Sequence, residues 1–311
     1  MKVRSEKTEY IAGQLSVLGA AFFWSTSGLL IKMVEWHPFV IAGTRSFIAA
    51  IFMLIIRLIF PPPKDVKNRP IPFWGNAIAL AATILTFVTA NKLTTAANVI
   101  LLQYTAPIWA ALLGWWLAKE KPNWEHWGAL LFVIGGLLLF FGGSLDSGAV
   151  LGNLLSILSG ICLGIHMVFL RMLKDGSPRD AMLAGHIVCA LAGIPFIFIE
   201  PPLLTAPMVL PILYMGIFQI GIASLFISYG IKRIPAIQAM LTSILEPILS
   251  PVWVFLIIGE RPSFYALIGG AVIITAVVAS SVIGVHRQGQ NERKLKAERM
   301  LEAERMLSPH N

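Results

Sequence analysis

The sequence predicts an all-α integral membrane protein whose ten transmembrane helices form two inverted five-helix repeats. Three observations lead to this prediction: the composition, the spacing of the apolar segments, and an internal match at an offset of about 140 residues. The 311 residues are 57% hydrophobic and only 13% charged, whereas soluble domains carry about 25% charged residues. A water-soluble fold would therefore lack the polar side chains needed to cover its surface.

Ten apolar segments, numbered here as spans 1 to 10, account for most of the chain. A segment of about 20 apolar residues crosses a bilayer as a helix, and clusters of proline, glycine and charge mark where such helices end. Span 1 is too long for the core of a signal peptide, so we interpret it as an uncleaved helix. The predicted spans cover residues 13–32, 39–60, 71–91, 95–118, 124–142, 149–172, 181–199, 208–231, 235–258 and 263–285.

The distribution of Lys and Arg predicts that both termini lie in the cytoplasm. With the N-terminus inside, the cytoplasmic segments hold 20 of the 24 Lys and Arg residues, and the opposite side holds only Lys32, Lys92 and Arg261. Basic residues collect in cytoplasmic loops, so the net charge of +8 reports topology and does not point to a nucleic-acid partner. We expect a multi-pass protein of the inner (plasma) membrane.

The two halves of the chain match each other through five spans, at an offset of 139 residues for span 1 and 140 residues for spans 2 to 5. Because five is an odd number, the second half must cross the membrane in the opposite sense. We therefore predict a first repeat over residues 1–146, an inverted second repeat over 147–285 and a charged cytoplasmic tail over 286–311, either solvated or attracted to the anionic inner leaflet. The matched positions include Pro38 and Pro178, Pro61-Pro62 and Pro201-Pro202, Lys92 and Lys232, Pro107 and Pro247, Glu120 and Glu260, and Pro122 and Pro262.

Several motifs add to the repeat: Ala106-Pro107 with Lys119-Glu120-Lys121-Pro122, Leu245-Glu246-Pro247 with Gly259-Glu260-Arg261-Pro262, Trp24-Ser25-Thr26-Ser27, and Thr44-Arg45-Ser46-Phe47. Together they resemble the signature of EamA-type transporters, a family of the drug/metabolite transporter superfamily. The resemblance extends over residues 13–285. It implies ten helices, a central cavity built by spans 1, 3, 4, 6, 8 and 9, peripheral spans 5 and 10, and export of small metabolites, amino acids or drugs.

Arg45 in span 2 and Glu246 in span 9 are the two charges placed deep inside the hydrocarbon region. A central charge costs about 2.5–3.5 kcal/mol on insertion scales. Glu246 is expected either to line the cavity, where it titrates or binds a cationic group of the solute, or to cap backbone groups that Pro247 leaves free. Arg45 is expected to have a structural or gating role, to snorkel outwards, or to form a fixed pair with Glu246.

Polar and aromatic residues within the spans complete the predicted binding site. Polar groups in lipid must find partners inside the protein, and an imidazole titrates near physiological pH. The alternatives are a hydrogen-bonded core histidine, close packing of the small residues in spans 3 and 8, and plain packing of the tryptophan. The candidates are Trp24, Thr83, Thr86, Asn98, Gln103, Tyr104, His166, Gln219 and Phe226, with His186 expected at the membrane interface.

Pro107 and Pro247 occupy symmetric positions in spans 4 and 9. Each removes a backbone donor, so we predict two symmetric kinks, which either bend during transport or give the cavity a static shape. The resemblance and these residues favour a secondary transporter that exports small metabolites, such as amino acids or related amphipathic solutes, by alternating access. The expected partners are the solute and the lipid bilayer, with protons as a candidate coupling ion and a monomer or homodimer as the assembly.

The sequence contains no Gly-rich phosphate loop, no His-Glu-x-x-His zinc motif and no Gly-x-Ser-x-Gly elbow. We therefore predict no cofactor, no metal and no catalytic residue. A flippase for lipids or lipid-linked solutes on the same fold is the main alternative. A membrane-embedded enzyme and a channel are less favoured, because convergent acid, base or metal groups and a continuous polar pore are not evident.

Overall fold

The described elements are all helical, and together they form the ten spans. The computed structural model describes residues 6–63, 68–141, 149–258 and 264–307, and no strand occurs within those ranges. Eight spans are long and apolar enough to cross a bilayer, and the shorter apolar helices Trp124–Leu139 and Ala236–Ser250 complete the ten. The predicted fold class is confirmed. The motif from Gly259 to Pro262 lies outside the described residues.

The first repeat contains spans 1 to 5. Proline in the first turn of spans 2 and 3 fits its position, because the first amides of a helix have no acceptor within it. His37 adds a cap to span 2, since its Nδ1 accepts a hydrogen bond from Phe39 N. Span 1 is formed by Glu6–Trp24 and Ser27–Met33, span 2 by Pro38–Ile59, span 3 by Pro70–Leu93, span 4 by Ala96–Gln103 and Ala106–Leu117, and span 5 by Trp124–Phe141.

The second repeat contains spans 6 to 10. Ser177 caps span 7 by accepting a hydrogen bond from Asp180 N, which is a preferred role for serine. The predicted tail continues span 10 as one helix to Leu307. Span 6 is Val150–Met172, span 7 is Pro178–Ile199, span 8 joins Ala206–Tyr214, the π-helical Met215–Ile222 and Ala223–Gly230, span 9 is Ala236–Ser243 and Leu245–Ile258, and span 10 begins the helix Phe264–Leu307.

The packing of the spans repeats when the two halves are exchanged. Span 3 packs along span 6, and their repeat partners, spans 8 and 1, pack along each other in the same way. The contact between spans 2 and 8 likewise has an equivalent between spans 7 and 3. Spans 2 and 7 cross each other, as do spans 4 and 9 and spans 5 and 10, which are repeat partners. Glycine allows spans 2 and 7 to cross closely, because a Cβ added at Gly43 would lie 2.8 Å from the Cα of Gly193.

The contacts divide the eight central spans into two bundles. Spans 1, 2, 8 and 9 form one bundle, here called bundle A, and spans 3, 4, 6 and 7 form bundle B. Each bundle therefore takes two spans from each repeat. The largest contact between the bundles is the crossing of spans 2 and 7, and spans 4 and 9, spans 2 and 3, and spans 7 and 8 also meet across the interface.

Spans 4 and 9 are broken just before their prolines. Span 4 is interrupted at Tyr104 and Thr105, and span 9 is interrupted at Ile244. Pro107 and Pro247 thus fall in the first turn of the second helix of each span, where a missing amide proton costs no intrahelical hydrogen bond. The repeat offset pairs Tyr104 with Ile244, so the two breaks are symmetric.

Candidate functional site

A cavity of about 80 Å³ lies between bundles A and B. Side chains from spans 1 to 4 and 6 to 9 line it, so spans 2 and 7 contribute in addition to the six spans that the resemblance implies. This space has room for water-sized groups or for the polar part of a small solute. Seven of the candidate residues face it: Trp24, Arg45, Thr83, Gln103, His166, Gln219 and Glu246.

Arg45 is buried in the wall of this cavity, with 2% of its surface exposed. Its Nη1 donates a hydrogen bond to Gln219 Oε1 at 3.1 Å, while its Nε has no hydrogen-bond partner. Among the described residues, no ion pair joins Arg45 to a carboxylate, Glu246 included. The side chain therefore neither snorkels to the surface nor forms the fixed pair considered above.

Glu246 lies directly after the break in span 9 and is 8% exposed. The hydroxyl oxygen of Tyr104 lies 2.8 Å from Glu246 Oε2 and 3.0 Å from the carbonyl oxygen of Ser243. A tyrosine hydroxyl has one proton, so it donates to Glu246 when that carboxylate is ionised. When Glu246 is protonated, it donates to the tyrosine, whose own proton turns to Ser243. The contact accommodates both protonation states and joins the two symmetric breaks.

His166 and His186 bring two imidazoles to the cavity from spans 6 and 7. Both are 1% exposed, and neither Nδ1 has a hydrogen-bond partner. The Nε2 of His186 lies 2.9 Å from Ser224 Oγ. The expectation that His186 lies at the membrane interface is wrong, because span 7 starts at Pro178 and not at residue 181. His186 is eight residues, or about 12 Å, along the helix.

The other candidate residues lie beside the cavity and make packing contacts. Thr86 donates a hydrogen bond to the Ala82 carbonyl of its own helix. Asn98 donates to Asn153 Oδ1 at 2.9 Å and so joins spans 4 and 6. Phe226 stacks on Phe23 with ring centroids 6.2 Å apart. Tyr104 belongs to the site through Glu246 and not through the lining.

Some lining residues were not among the candidates, namely Ser27, Phe87, Met182, His186 and Ser224. The repeat contains a signal for two of them. Ser27 is the repeat partner of the candidate His166, and His186 is the partner of Ser46, the neighbour of Arg45. Applying the offset to each candidate would have found both.

Polar contacts join the two bundles beyond one end of the cavity, here called the first end. It is formed by the carboxyl-terminal ends of spans 1 and 3. Lys92 Nζ donates a hydrogen bond to the carbonyl oxygen of Val34, and Lys32 Nζ donates to that of Thr94 at 3.3 Å. Lys92 lies five residues, or about 7.5 Å, beyond the lining residue Phe87.

Equivalent contacts join the bundles at the opposite end, here called the second end, where spans 6 and 8 finish. Arg171 Nη1 donates to the carbonyl oxygen of Ile231 at 2.7 Å, and Lys232 Nζ donates to that of Gly176 at 2.9 Å. Arg171 lies five residues, or about 7.5 Å, beyond the lining residue His166. The donors at the two ends are repeat partners, so equivalent contacts join the bundles on both sides of the cavity.

The second end differs from the first because it also carries ion pairs. Each pair joins one repeat to the other. One pair lies within bundle A, one lies within bundle B, one joins span 2 to span 7 across the two bundles, and one joins spans 5 and 10. Burial, together with nearby Arg233, lowers the pKa of Lys232 at this end. The ion pairs in the described part of the chain are Arg57–Asp180 at 2.9 Å, Arg171–Glu120 at 2.7 Å, Arg233–Glu9 at 2.6 Å and Arg287–Glu125 at 2.6 Å.

Known proteins share both the sequence pattern and the fold. The model of the EamA-like transporter family matches residues 11–142 and again residues 150–282. The chain is 27% identical over 276 residues to an uncharacterized transporter, YwfM, of Bacillus subtilis, covering 86% of this chain and 93% of that one. It is 25% identical over 297 residues to an uncharacterized transporter of Methanothermobacter thermautotrophicus, covering 85% and 84%. The fold also resembles that of a protein in a crystal structure, with a TM-score of 0.74 and 22% sequence identity between the two chains. The match covers 87% of this chain and 97% of that chain.

Proposed function

The chain belongs to the EamA-like transporter family of the drug/metabolite transporter superfamily, and on that premise we propose that it is a secondary transporter that exports small metabolites by alternating access. The observation that carries the proposal is the cavity between bundles A and B, with equivalent polar contacts that join the bundles beyond both of its ends. Opening the contacts at one end exposes the cavity to one side of the membrane. In proteins built from inverted repeats, the substrate site lies at such an interface.

The breaks in spans 4 and 9 supply the bending points for this motion. Both spans connect the bundles, and each breaks just before Pro107 or Pro247. A broken helix bends at low cost because no intrahelical hydrogen bond spans the break. We propose that the bundles rock about these points and about the glycine contact between spans 2 and 7.

The cavity lining favours a small amphipathic solute, and we propose amino acids or related metabolites. Trp24 and Phe87 supply apolar surface, while Arg45, Gln103 and Glu246 supply charge and hydrogen bonds. An apolar groove of about 550 Å³ between spans 2 and 7 faces the lipid, but it shares no lining residue with the cavity. That separation favours a soluble solute over the lipid of a flippase.

We propose that the protein lies in the inner membrane with both termini in the cytoplasm. The two repeats cover residues 1–146 and 147–285, and the tail covers residues 286–311. The excess of Lys and Arg on one side supports this topology. The second end then opens to the cytoplasm. In export, the solute enters through the second end and leaves through the first.

We further propose that Glu246 couples transport to protons. The Tyr104 hydroxyl faces two acceptors, Glu246 and the Ser243 carbonyl, and redirects its single proton when Glu246 gains or loses one. Each protonation state therefore links the breaks of spans 4 and 9 differently. Facilitated transport or solute exchange is the alternative mode.

Uptake into proteoliposomes tests the proposal. The purified protein would be reconstituted and assayed with a panel of labelled amino acids and nucleosides at two pH gradients, against empty liposomes. We expect saturable uptake of at least one amino acid that responds to the pH gradient. Saturable uptake without that response would remove proton coupling alone, and the absence of uptake of any solute would contradict the transport proposal.

A further inference from the structure

We infer that Arg45 binds a carboxylate group of the transported solute, so that the substrates are organic acids and zwitterions and not amines or neutral solutes. The inference rests on the proposed function of the cavity. It assigns Arg45 a binding role in place of the structural or gating role expected from the sequence. The observation that carries it is a buried guanidinium that faces the cavity without a counter-charge.

No carboxylate among the described residues forms an ion pair with the Arg45 guanidinium. A buried charge without an opposite charge is strongly destabilising, and a guanidinium cannot avoid this by losing its proton. Glu246, the carboxylate on the same cavity, interacts with Tyr104 instead. Cys189, the nearby thiol, donates to the carbonyl oxygen of Ala42. An anion that enters the cavity would supply the charge that these residues do not.

The Arg45 guanidinium also has hydrogen-bond donors without an acceptor in the described part of the chain. A guanidinium has five N–H donors in a planar fork, and Gln219 accepts one hydrogen bond from Arg45 while Nε has no acceptor. Gln219 lies in the π-helical segment Met215–Ile222, and π-helical turns occur frequently at functional sites. Gln219 therefore orients the guanidinium and leaves several of its N–H groups for a ligand.

His166 and His186 face the same cavity as Arg45, from the other bundle. Arg45 and Gln219 belong to bundle A, whereas His166 and His186 belong to bundle B, and both imidazoles have an unpartnered Nδ1. An anion held between them would contact both bundles at once. Its binding would therefore favour the conformation in which the bundles are close, as they are here.

The size and charge of the cavity select a carboxylate among anions. The guanidinium fork matches the two oxygens of a carboxylate in a bidentate geometry. The cavity of about 80 Å³ has room for a group as small as a carboxylate. A phosphate ester carries up to two negative charges, and Glu246 on the same cavity would repel the second one. In a zwitterion, the ammonium group would lie towards Glu246.

Matched ligand series test this assignment on the full chain in lipid nanodiscs, with binding read from tryptophan fluorescence and thermal stabilisation. Each series contains an L-amino acid, its deaminated acid and its decarboxylated amine, for alanine, leucine and phenylalanine. We expect binding of at least one amino acid or acid and none of its amine. If only amino acids bind, the substrates are zwitterions; if the acids bind as well, they include simple organic acids. Equal binding of amine and acid, or no binding of any carboxylate, would overturn the inference.

Variants separate charge from fold. We expect R45Q to weaken carboxylate binding roughly ten- to a hundredfold, as loss of charge-assisted hydrogen bonds does, and R45K to fall in between, because lysine keeps the charge but lacks the fork. K174Q removes a positive charge from an exposed side chain outside the cavity, and should bind like the wild type. Unchanged binding by R45Q would contradict the inference.

If R45Q does not fold, Q219L decides the question, because it retains Arg45 but removes the group that orients it. We expect a severalfold loss of carboxylate binding, and wild-type affinity would overturn the inference. Arg45-dependent binding without uptake in proteoliposomes would refute the transport proposal alone. Uptake with no dependence on Arg45 would refute the carboxylate site alone.

Discussion

Replacing Glu246 with glutamine tests the contact between the two broken helices. Glutamine has nearly the same size and can still accept a hydrogen bond from Tyr104, but it carries no charge and does not titrate. The Tyr104 hydroxyl, 2.8 Å from Glu246 and 3.0 Å from the Ser243 carbonyl, then has the same partners at every pH. We expect E246Q to reach the membrane and to lose the response of transport to the pH gradient.

The size of the effect follows from the hydrogen bond. A hydrogen bond to a charged group contributes about 1.5–3 kcal/mol, and one between neutral groups about 0.5–1.5 kcal/mol. The difference, about 1–1.5 kcal/mol, corresponds to a roughly five- to tenfold change in the equilibrium between two conformations. The pH gradient should therefore change wild-type uptake by up to that factor and leave the uptake of E246Q unchanged.

The assay is proteoliposome uptake at two pH gradients with wild type, E246Q, Y104F and the double variant. Glu35→Gln is the matched control, since it neutralises an exposed carboxylate outside the cavity, and it should respond to pH like the wild type. Because Tyr104 and Glu246 act as a pair, the effects of the two single substitutions should not add. If E246Q reached the membrane and kept the full pH response, our account of proton coupling would be refuted.

Two further predictions concern the packing of the bundles. Gly43→Ala places a methyl group 2.8 Å from the Cα of Gly193, and we expect a loss of about 1–3 kcal/mol in the free energy of unfolding, as overpacking causes. Thermal unfolding in nanodiscs would compare this variant with Gly135→Ala, whose added Cβ meets nothing within 4 Å. Equal stability of the two variants would argue against the tight crossing. Arg171→Gln removes both the ion pair to Glu120 and the hydrogen bond to Ile231 at the second end, so a cysteine at Ser27 in the cavity should react faster with a thiol reagent added on that side. A rate unchanged from that of the Ser27→Cys single variant would show that Arg171 does not hold this end closed.

Most of the architecture was predictable because the signals are local and recur. Apolar length and the prolines at helix starts define the spans, and the coincidence of Pro107 with Pro247 reveals the repeat. The pairing of Tyr104 with Glu246 was not predicted, although both residues were candidates. It depends on where the helices break, and a proline indicates that a helix is disturbed nearby without specifying the residue at which it stops.

The site residues that escaped prediction did so for geometric reasons. The start of the apolar run places His186 near the end of span 7, whereas the helix begins at the capped Pro178, in more polar sequence. The π-helical Met215–Ile222 in span 8 has no counterpart in span 3, so the repeat offset could not reveal it. Hydropathy indicates neither the start of span 7 nor the π-helical turns of span 8, because both depend on how backbone hydrogen bonds are satisfied in the folded protein.

Cross-linking the two ends tests the central claim, that the cavity opens alternately to the two sides of the membrane. On a background of Cys162→Ser and Cys189→Ser, one cysteine pair would replace Val34 and Lys92 at the first end, and another would replace Arg171 and Ile231 at the second end. A short, reducible thiol cross-linker applied to either pair should abolish uptake, and reduction should restore it. Uptake that continues at the uncross-linked rate with one end, or both ends, locked would contradict alternating access through this cavity.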